Sequence, residues 1–247
     1  MSTVLACAGL TRRFGGLAAV NDVSLDFRLG EVHAVIGTNG AGKSTLINLL
    51  TGELPPSAGR ITLDDHDITA WPQPKRAAAG IGRSYQRTTI FGEFSVFENT
   101  RLCAQAAFAR PWTLWQPAIA CKDSGQAAHE ALAAAGLSAQ AGQRAAALSH
   151  GAKRQLEIAM CLATRPRVLL LDEPLAGMGA EETERMLTLL AALKPGHAIA
   201  LVEHDMDAVF RIADRITVMV NGQVIASDAP AAIRANREVQ VAYLGEH

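Results

Sequence analysis

Apolar residues along this chain change their spacing several times, and the order of those changes predicts a parallel α/β architecture. Glu31-Val32-His33-Ala34-Val35-Ile36 reads as a short buried strand, Gly37 to Gly42 breaks it, and Lys43 to Leu50 resumes with helical spacing. Val168 to Leu171 and Ala198 to Val202 are continuous apolar runs bounded by polar residues. Strands covered on both faces look like that, because neither side of the sheet meets water. Glu182 to Leu193 and Asp205 to Asp214 carry helical spacing, with Met206, Val209, Phe210 and Ala213 falling at i, i+3, i+4 and i+7.

Towards its two ends the chain reads as antiparallel. Ile216 to Val220, then Asn221-Gly222, then Gln223 to Ala226 predicts a hairpin, since Asn-Gly accepts the positive φ of a type I′ turn. Leu17 to Phe27 alternates in places like a strand. From about Phe94 to Arg165 the chain is Ala-rich with helical spacing and few strand formers, which predicts an inserted helical lobe. Residues 1–247 are expected to form one domain, with 1–86 and 166–247 as core plus β subdomain and 87–165 as the lobe.

Composition narrows the function classes. With 247 residues, 49% hydrophobic and 19% charged, the chain can bury a sizeable core. A net charge of -1 gives no bulk attraction to nucleic acid or to an anionic membrane, so no nucleic-acid partner is expected. The longest apolar run, Ile158 to Ala163, is far below the ~18 residues that span a bilayer, and no secretory signal opens the chain. Cys7, Cys103, Cys121 and Cys161 lack CxxC spacing, against a zinc site or disulfide framework. A soluble cytoplasmic protein is expected.

Gly37-Thr38-Asn39-Gly40-Ala41-Gly42-Lys43-Ser44 fits G-x-x-x-x-G-K-[ST] between a predicted strand and a predicted helix, with Thr45 next in that helix. Glycines let successive N–H groups turn inward around phosphate oxygens, and the helix presents its positive end. Lys43 would neutralise β/γ-phosphates and the Ser44 hydroxyl would ligate Mg²⁺. A chance match is expected roughly 0.004 times in a chain of this composition. Val168 to Leu171 leads into Asp172-Glu173-Pro174, placing two acids where open α/β sheets bind ligands. Asp172 would hold the Mg²⁺ shell, and Glu173 is placed to orient or deprotonate an attacking water. Seen alone, such a pair is an ordinary strand-end turn. His204, right after the strand ending at Val202-Glu203, is the next candidate, although a lone His is more often packing or surface.

Leu148-Ser149-His150-Gly151-Ala152 opens a further helix upstream of the acid pair. Phosphate loop, this segment, acid pair and strand-end His together resemble the ATP-binding subunits of ABC transporters over essentially the whole chain. The resemblance implies a P-loop NTPase (RecA-like) core with an antiparallel β subdomain and an inserted α-helical lobe. It also implies that Ser149, His150 and Gly151 bind in trans the γ-phosphate of ATP held on a second ATP-binding subunit. Ser149 can cap its helix, and with the free N–H of Gly151 it would form an anion-receptive end. Gln86, in Ser84-Tyr85-Gln86-Arg87, matches the glutamine that touches Mg²⁺ or the attacking water and reports nucleotide state to the membrane subunit. His204 matches the histidine that contacts the γ-phosphate. Phe14, before Gly15-Gly16, matches the aromatic that stacks on adenine, with a core Phe as its rival reading.

Departures from the family pattern are His150 where many members have Gly, Ala152 where many have Gln, and no Asp in the dimer-contact stretch Ala176-Gly177-Met178-Gly179. These variants, with Asn48 to Gly59, Gly80 to Asn99 and Tyr243-Leu244-Gly245, are most similar to ATPases of branched-chain amino acid importers and their amide- or urea-importing relatives. The resemblance implies an ATPase peripheral on the inner membrane face, with permease subunits as partners and a solute-binding protein acting indirectly. Lipopolysaccharide-export ATPases, and soluble ABC ATPases not tied to transport, are the alternatives. Phe108 to Lys122 holds two of the three Trp residues and is expected to pack within the lobe, with a permease- or lipid-facing contact as the sharper alternative.

Overall fold

The computed structural model describes residues 2–86, 89–108 and 121–244. Its centre is a sheet of six strands: β3 (Glu31–Gly37), β6 (Ile81–Arg83), β7 (Val168–Asp172), β8 (Ala198–Val202), β9 (Arg215–Val220) and β10 (Gln223–Asp228). Their order is β10-β9-β3-β8-β7-β6, parallel throughout except for the β9–β10 hairpin. The apolar runs at 168–171 and 198–202 are buried along their whole length, as continuous hydrophobicity requires of strands covered on both faces. Register brings the strand ends that carry chemistry to one edge. Val202 pairs with both Val35 and Asp172, and Gly37 pairs with Met219, so the chain leaves β3, β7 and β8 into the same crevice.

A second, antiparallel sheet is built from β1 (Thr3–Phe14), β2 (Leu17–Arg28), β4 (Ala58–Leu63) and β5 (His66–Asp67), in the order β2-β1-β4-β5. The strand β1 has no clean alternation in sequence because Gly9, at φ +60°, sits within a register shift between Cys7 and Leu10. Leu5, Leu10, Phe27 and Ile61 of this sheet pack with Leu46, Leu49 and Leu50 of α1 (Lys43–Thr51) against one face of the central sheet. Arg76, on α2 (Gln73–Ala78), is buried because it donates to the carbonyls of Leu49, Leu50, Thr69 and Trp71, which satisfies the C-terminal end of α1.

The Ala-rich stretch folds as α3 (Val96–Phe108), α4 (Lys122–Ala134) and α5 (His150–Leu162), which pack on one another. Ala104, Ala127, Ala131 and Ala163 meet in a small-residue cluster that lets the helices approach closely. Most of the Trp-bearing piece 108–122 lies outside the described residues. On the far face of the sheet lies α6 (Ala180–Leu193), its Met186, Leu190 and Leu193 packed on Leu169, Leu171 and Leu201. The helix predicted over 205–214 is shorter, α7 (Met206–Ile212). Asp205 becomes its N-cap by accepting from Ala208 N at 3.0 Å, and Asp214 is withdrawn because its carboxylate accepts from Val32 N at 2.9 Å. The hairpin turn has Asn221 at φ +49° and Gly222 at φ +80°, as a type I′ turn demands. The chain closes with α8 (Pro230–Ala235) and α9 (Arg237–Leu244).

Candidate functional site

The loop leaving β3 can follow its path only with glycine. A Cβ at Gly37 would lie 2.2 Å from the Met219 carbonyl oxygen, and one at Gly42 would lie 2.2 Å from that of Ala19. Gly42, at φ +99°, is the N-cap of α1, and no side chain caps it. The first N–H groups of a helix have no intrahelical acceptor, so here they are free to bind an anion. Lys43 Nζ folds back to donate to Gly37 O at 2.7 Å and Thr38 O at 3.0 Å. Burial depresses the lysine's pKa, while the charges of Glu173 and Asp172 push it back up. A cavity of about 280 Å³ is lined by residues Asn39 to Thr45 together with Gln86, Glu173 and His204.

At the end of β7, Asp172 is buried, and its Oδ1 has no partner among the described residues. Burial raises its pKa, and the guanidinium of Arg83, 3.9 Å from Oδ2, is the strongest opposing influence. Arg83 also reaches Glu53 at 2.9 Å and Thr51 Oγ1 at 3.1 Å, and its guanidinium lies over the Tyr85 ring. Glu173 adopts φ +51°, a left-handed conformation that costs a non-glycine residue of order 1–3 kcal/mol. Its surroundings hold it there. Its N–H donates to Val202 O at 2.9 Å, His204 Nε2 donates to Oε1 at 2.5 Å, and Gln86 Nε2 donates to Oε2 at 3.0 Å.

The turn after Glu173 is anchored by Glu203, which sequence reasoning passed over. Its buried carboxylate accepts from Leu175 N at 2.7 Å and from His204 N at 3.1 Å. Arg154 of α5 was also passed over. It donates to the carbonyls of Tyr85 at 3.0 Å and Gln86 at 2.8 Å and pairs with Glu157 at 2.9 Å, so it ties Gln86 to α5. A charged residue on the apolar side of a helix is the available sequence signal for Arg154. For Glu203 it is an acid extending an apolar strand.

Ser149 caps α5, its Oγ accepting from Ala152 N at 3.2 Å. The Gly151 N–H, expected free, is not: it donates to Glu182 Oε1 at 3.1 Å, and the Ser149 hydroxyl donates to the same oxygen at 3.0 Å. The correction has a plain cause. A helix N-terminus attracts an anion, and α6 brings a carboxylate within reach. His150 Nε2 donates to Ala176 O at 2.9 Å, and its ring lies where a Cβ on Gly177 would be 3.2 Å from Nε2. The unusual His150 and the small residues of the 176–179 stretch are therefore a matched pair.

Lys43, Ser44, Gln86, Glu173 and His204 line one cavity, with Asp172 next to it in sequence. Ser149 and Gly151 line another, of about 250 Å³, which shares no residue with the first. Phe14 lines neither. It stands at the exposed end of β1, 45% accessible, with the Arg12 guanidinium 4.8 Å above its ring.

The ABC transporter family pattern matches residues 20–176, and that of branched-chain amino acid ATP-binding cassette transporters matches residues 223–247. The high-affinity branched-chain amino acid transport ATP-binding protein LivG of Salmonella typhimurium is 41% identical, covering 98% of each chain. The corresponding protein BraF of Pseudomonas aeruginosa is 40% identical, also covering 98% of each. Among solved structures, the ADP conformation of an ATP-binding cassette of an ABC transporter superposes with a TM-score of 0.86 at 28% identity, covering 100% of both chains. The chain belongs to the ABC transporter family, as one of its ATP-binding subunits.

Proposed function

We propose that this ATPase powers an importer of branched-chain amino acids or related small polar solutes, and that its hydrolytic pocket is completed only by a second ATP-binding subunit. The observation that carries the reading is the separation of two anion-receptive helix ends, the phosphate loop and the Ser149–Gly151 end, into cavities with no residue in common. Likeness to LivG and BraF over nearly the whole chain supports the solute class.

Each residue's task follows from its chemistry. Lys43 exchanges its two carbonyl acceptors for the β/γ-phosphates, an exchange that restores its charge-assisted hydrogen bonds. The N–H groups at Gly40 and Gly42 and at the start of α1 grip phosphate oxygens, assisted by Thr38, Asn39 and Thr45, while the Ala41 N–H holds the loop's shape by donating to Thr38 O at 3.1 Å. Glu173 is the base or orienting group for water, with its carboxylate aimed by Gln86 and His204. Phe14 is a platform for the adenine ring. The partnerless Oδ1 of buried Asp172 fits a role around Mg²⁺, with Ser44 and Gln86 as the other holders. That ion, when bound, neutralises charge developing on the transferring phosphoryl group. In the partner subunit Ser149, His150 and Gly151 complete the site, so ATP draws two subunits together and loss of phosphate releases them.

Residues 87–165 act as the lobe that carries this second surface, on a core of 1–86 and 166–247. No helix among the described residues is long and apolar enough to cross a membrane. Likeness to the transport ATP-binding proteins LivG and BraF supports a place on the cytoplasmic face, docked on permease subunits. Light scattering on the Glu173→Gln protein tests the composite site. Saturating ATP with Mg²⁺ should double the particle mass. A protein that stays single at saturation, alone or with its membrane subunits, would overturn the reading.

A further inference from the structure

The Ser149–Gly151 end of α5 already holds an anion, and that anion belongs to the chain itself. One oxygen of Glu182 receives both the Ser149 hydroxyl and the Gly151 N–H, at 3.0 and 3.1 Å. The fit is close: a Cβ on Gly151 would lie 2.6 Å from the Glu182 carboxyl carbon. Two donors converging on one oxygen at a helix N-terminus is how a phosphate oxygen is held. These bonds, led by that from Ser149, draw the carboxyl below the usual carboxylate range, so it is an anion at neutral pH. Glu182 sits in the first turn of α6, which follows directly from the turn after Glu173, so the occupied seat and the hydrolytic pocket are joined by one short segment.

We propose that Glu182 is a built-in competitor for the γ-phosphate at the Ser149–Gly151 seat, which makes subunit closure conditional on a nucleotide carrying that phosphate. The proposal rests on the composite-site reading above. A γ-phosphate brings more negative charge and more acceptor oxygens than a carboxylate and can take both donors. ADP presents no group at that position, so Glu182 keeps the seat. The displaced carboxylate has somewhere to go, because the adjoining cavity is lined by the amides of Gln140, Gln143 and Gln155 and, one turn along α6, by Arg185, which it would share with Glu181. Glu182 thus acts on selectivity for ATP over ADP rather than on the chemical step.

The test uses the full-length Glu173→Gln protein, which holds ATP, with Glu182→Ala or Glu182→Gln added. Removing two charge-assisted acceptor contacts should lower the ATP concentration for half-maximal dimerisation roughly ten-fold. Glu182→Ala should also begin to dimerise with ADP, and Glu182→Gln, which keeps shape and loses charge, should fall between. An unchanged or higher half-point in both variants means that Glu182 merely ties α6 to α5, and overturns the proposal. Hydrogen exchange at the Gly151 amide of the nucleotide-free protein reads the contact itself: slow in the parent, faster in Glu182→Ala. Equal rates refute the contact. Gly151 protection without any ATP-dependent mass change in the parent would instead sink the composite-site reading, and the competitor role with it.

Discussion

The strand that delivers the phosphate loop carries a buried histidine, and lowering the pH should strike the protein there. His33, on β3, is fully buried, with Nδ1 donating to Asp26 O at 3.1 Å and Nε2 facing Thr217 Oγ1 at 2.7 Å. A carbonyl can only accept, so the proton sits on Nδ1 and the Thr217 hydroxyl donates to Nε2. Thr217 Oγ1 lies 2.7 Å from Ser227 Oγ, whose hydroxyl can donate in turn. Adding a second proton requires the Thr217 bond to reverse, and puts a charge on a fully buried ring. Burial pushes the His33 pKa down to about 4, helped by the charge of Arg215 and opposed by Asp26. In the unfolded chain it titrates near 6.5. Between those values the unfolded chain binds a proton that the folded chain refuses, so the stability of the neutral form is complete above pH ~6.5 and is lost as pH falls towards ~4. The full span is worth about 3 kcal/mol, a large part of the ~5–15 kcal/mol that holds a typical domain together. Urea denaturation at a series of pH values should show the parent losing that much relative to His33→Gln, which cannot titrate but keeps a donor and an acceptor. Other groups titrate in the same range, and the difference between the two proteins cancels them. Parallel loss in parent and variant from pH 6.5 to 4 would refute the assignment.

Two further outcomes concern the nucleotide site. Glu173→Gln should lower kcat by about 10²–10⁴-fold, or ~3–5 kcal/mol in the barrier, with ATP still bound, because the amide keeps an acceptor for His204 and cannot take a proton from water. Phosphate release at the parental rate would show that Glu173 is not the base. Lys43→Ala removes a buried ammonium that two carbonyls now hold, and should weaken ATP binding at least ~100-fold with little change in melting temperature; an unaltered ATP titration would contradict the role given to Lys43.

Sequence by itself determined the parallel core, the phosphate loop, the acid pair and the Asn-Gly hairpin, because each depends on residues next to one another. A fully buried strand must be apolar throughout, as at 168–171, and a loop with N–H groups turned inward must have glycine where a Cβ would strike Ala19 or Met219. Leu148 to Ala152 was legible as a capped helix start, and Ser149 does cap it. The tertiary structure alone decided the rest. The strand β1 escaped sequence reading because its bulge at Gly9 breaks the alternation that marks a strand. Whether the Gly151 N–H was free could not be read locally, since its acceptor lies 31 positions away on another helix, and only the packing of α6 beside α5 brings Glu182 to it. Glu203 and Arg154 are ordinary charged residues in the sequence. They became anchors of the site because burial left each with backbone groups to satisfy, and a buried charge is tolerated only where hydrogen bonds replace the water it has lost.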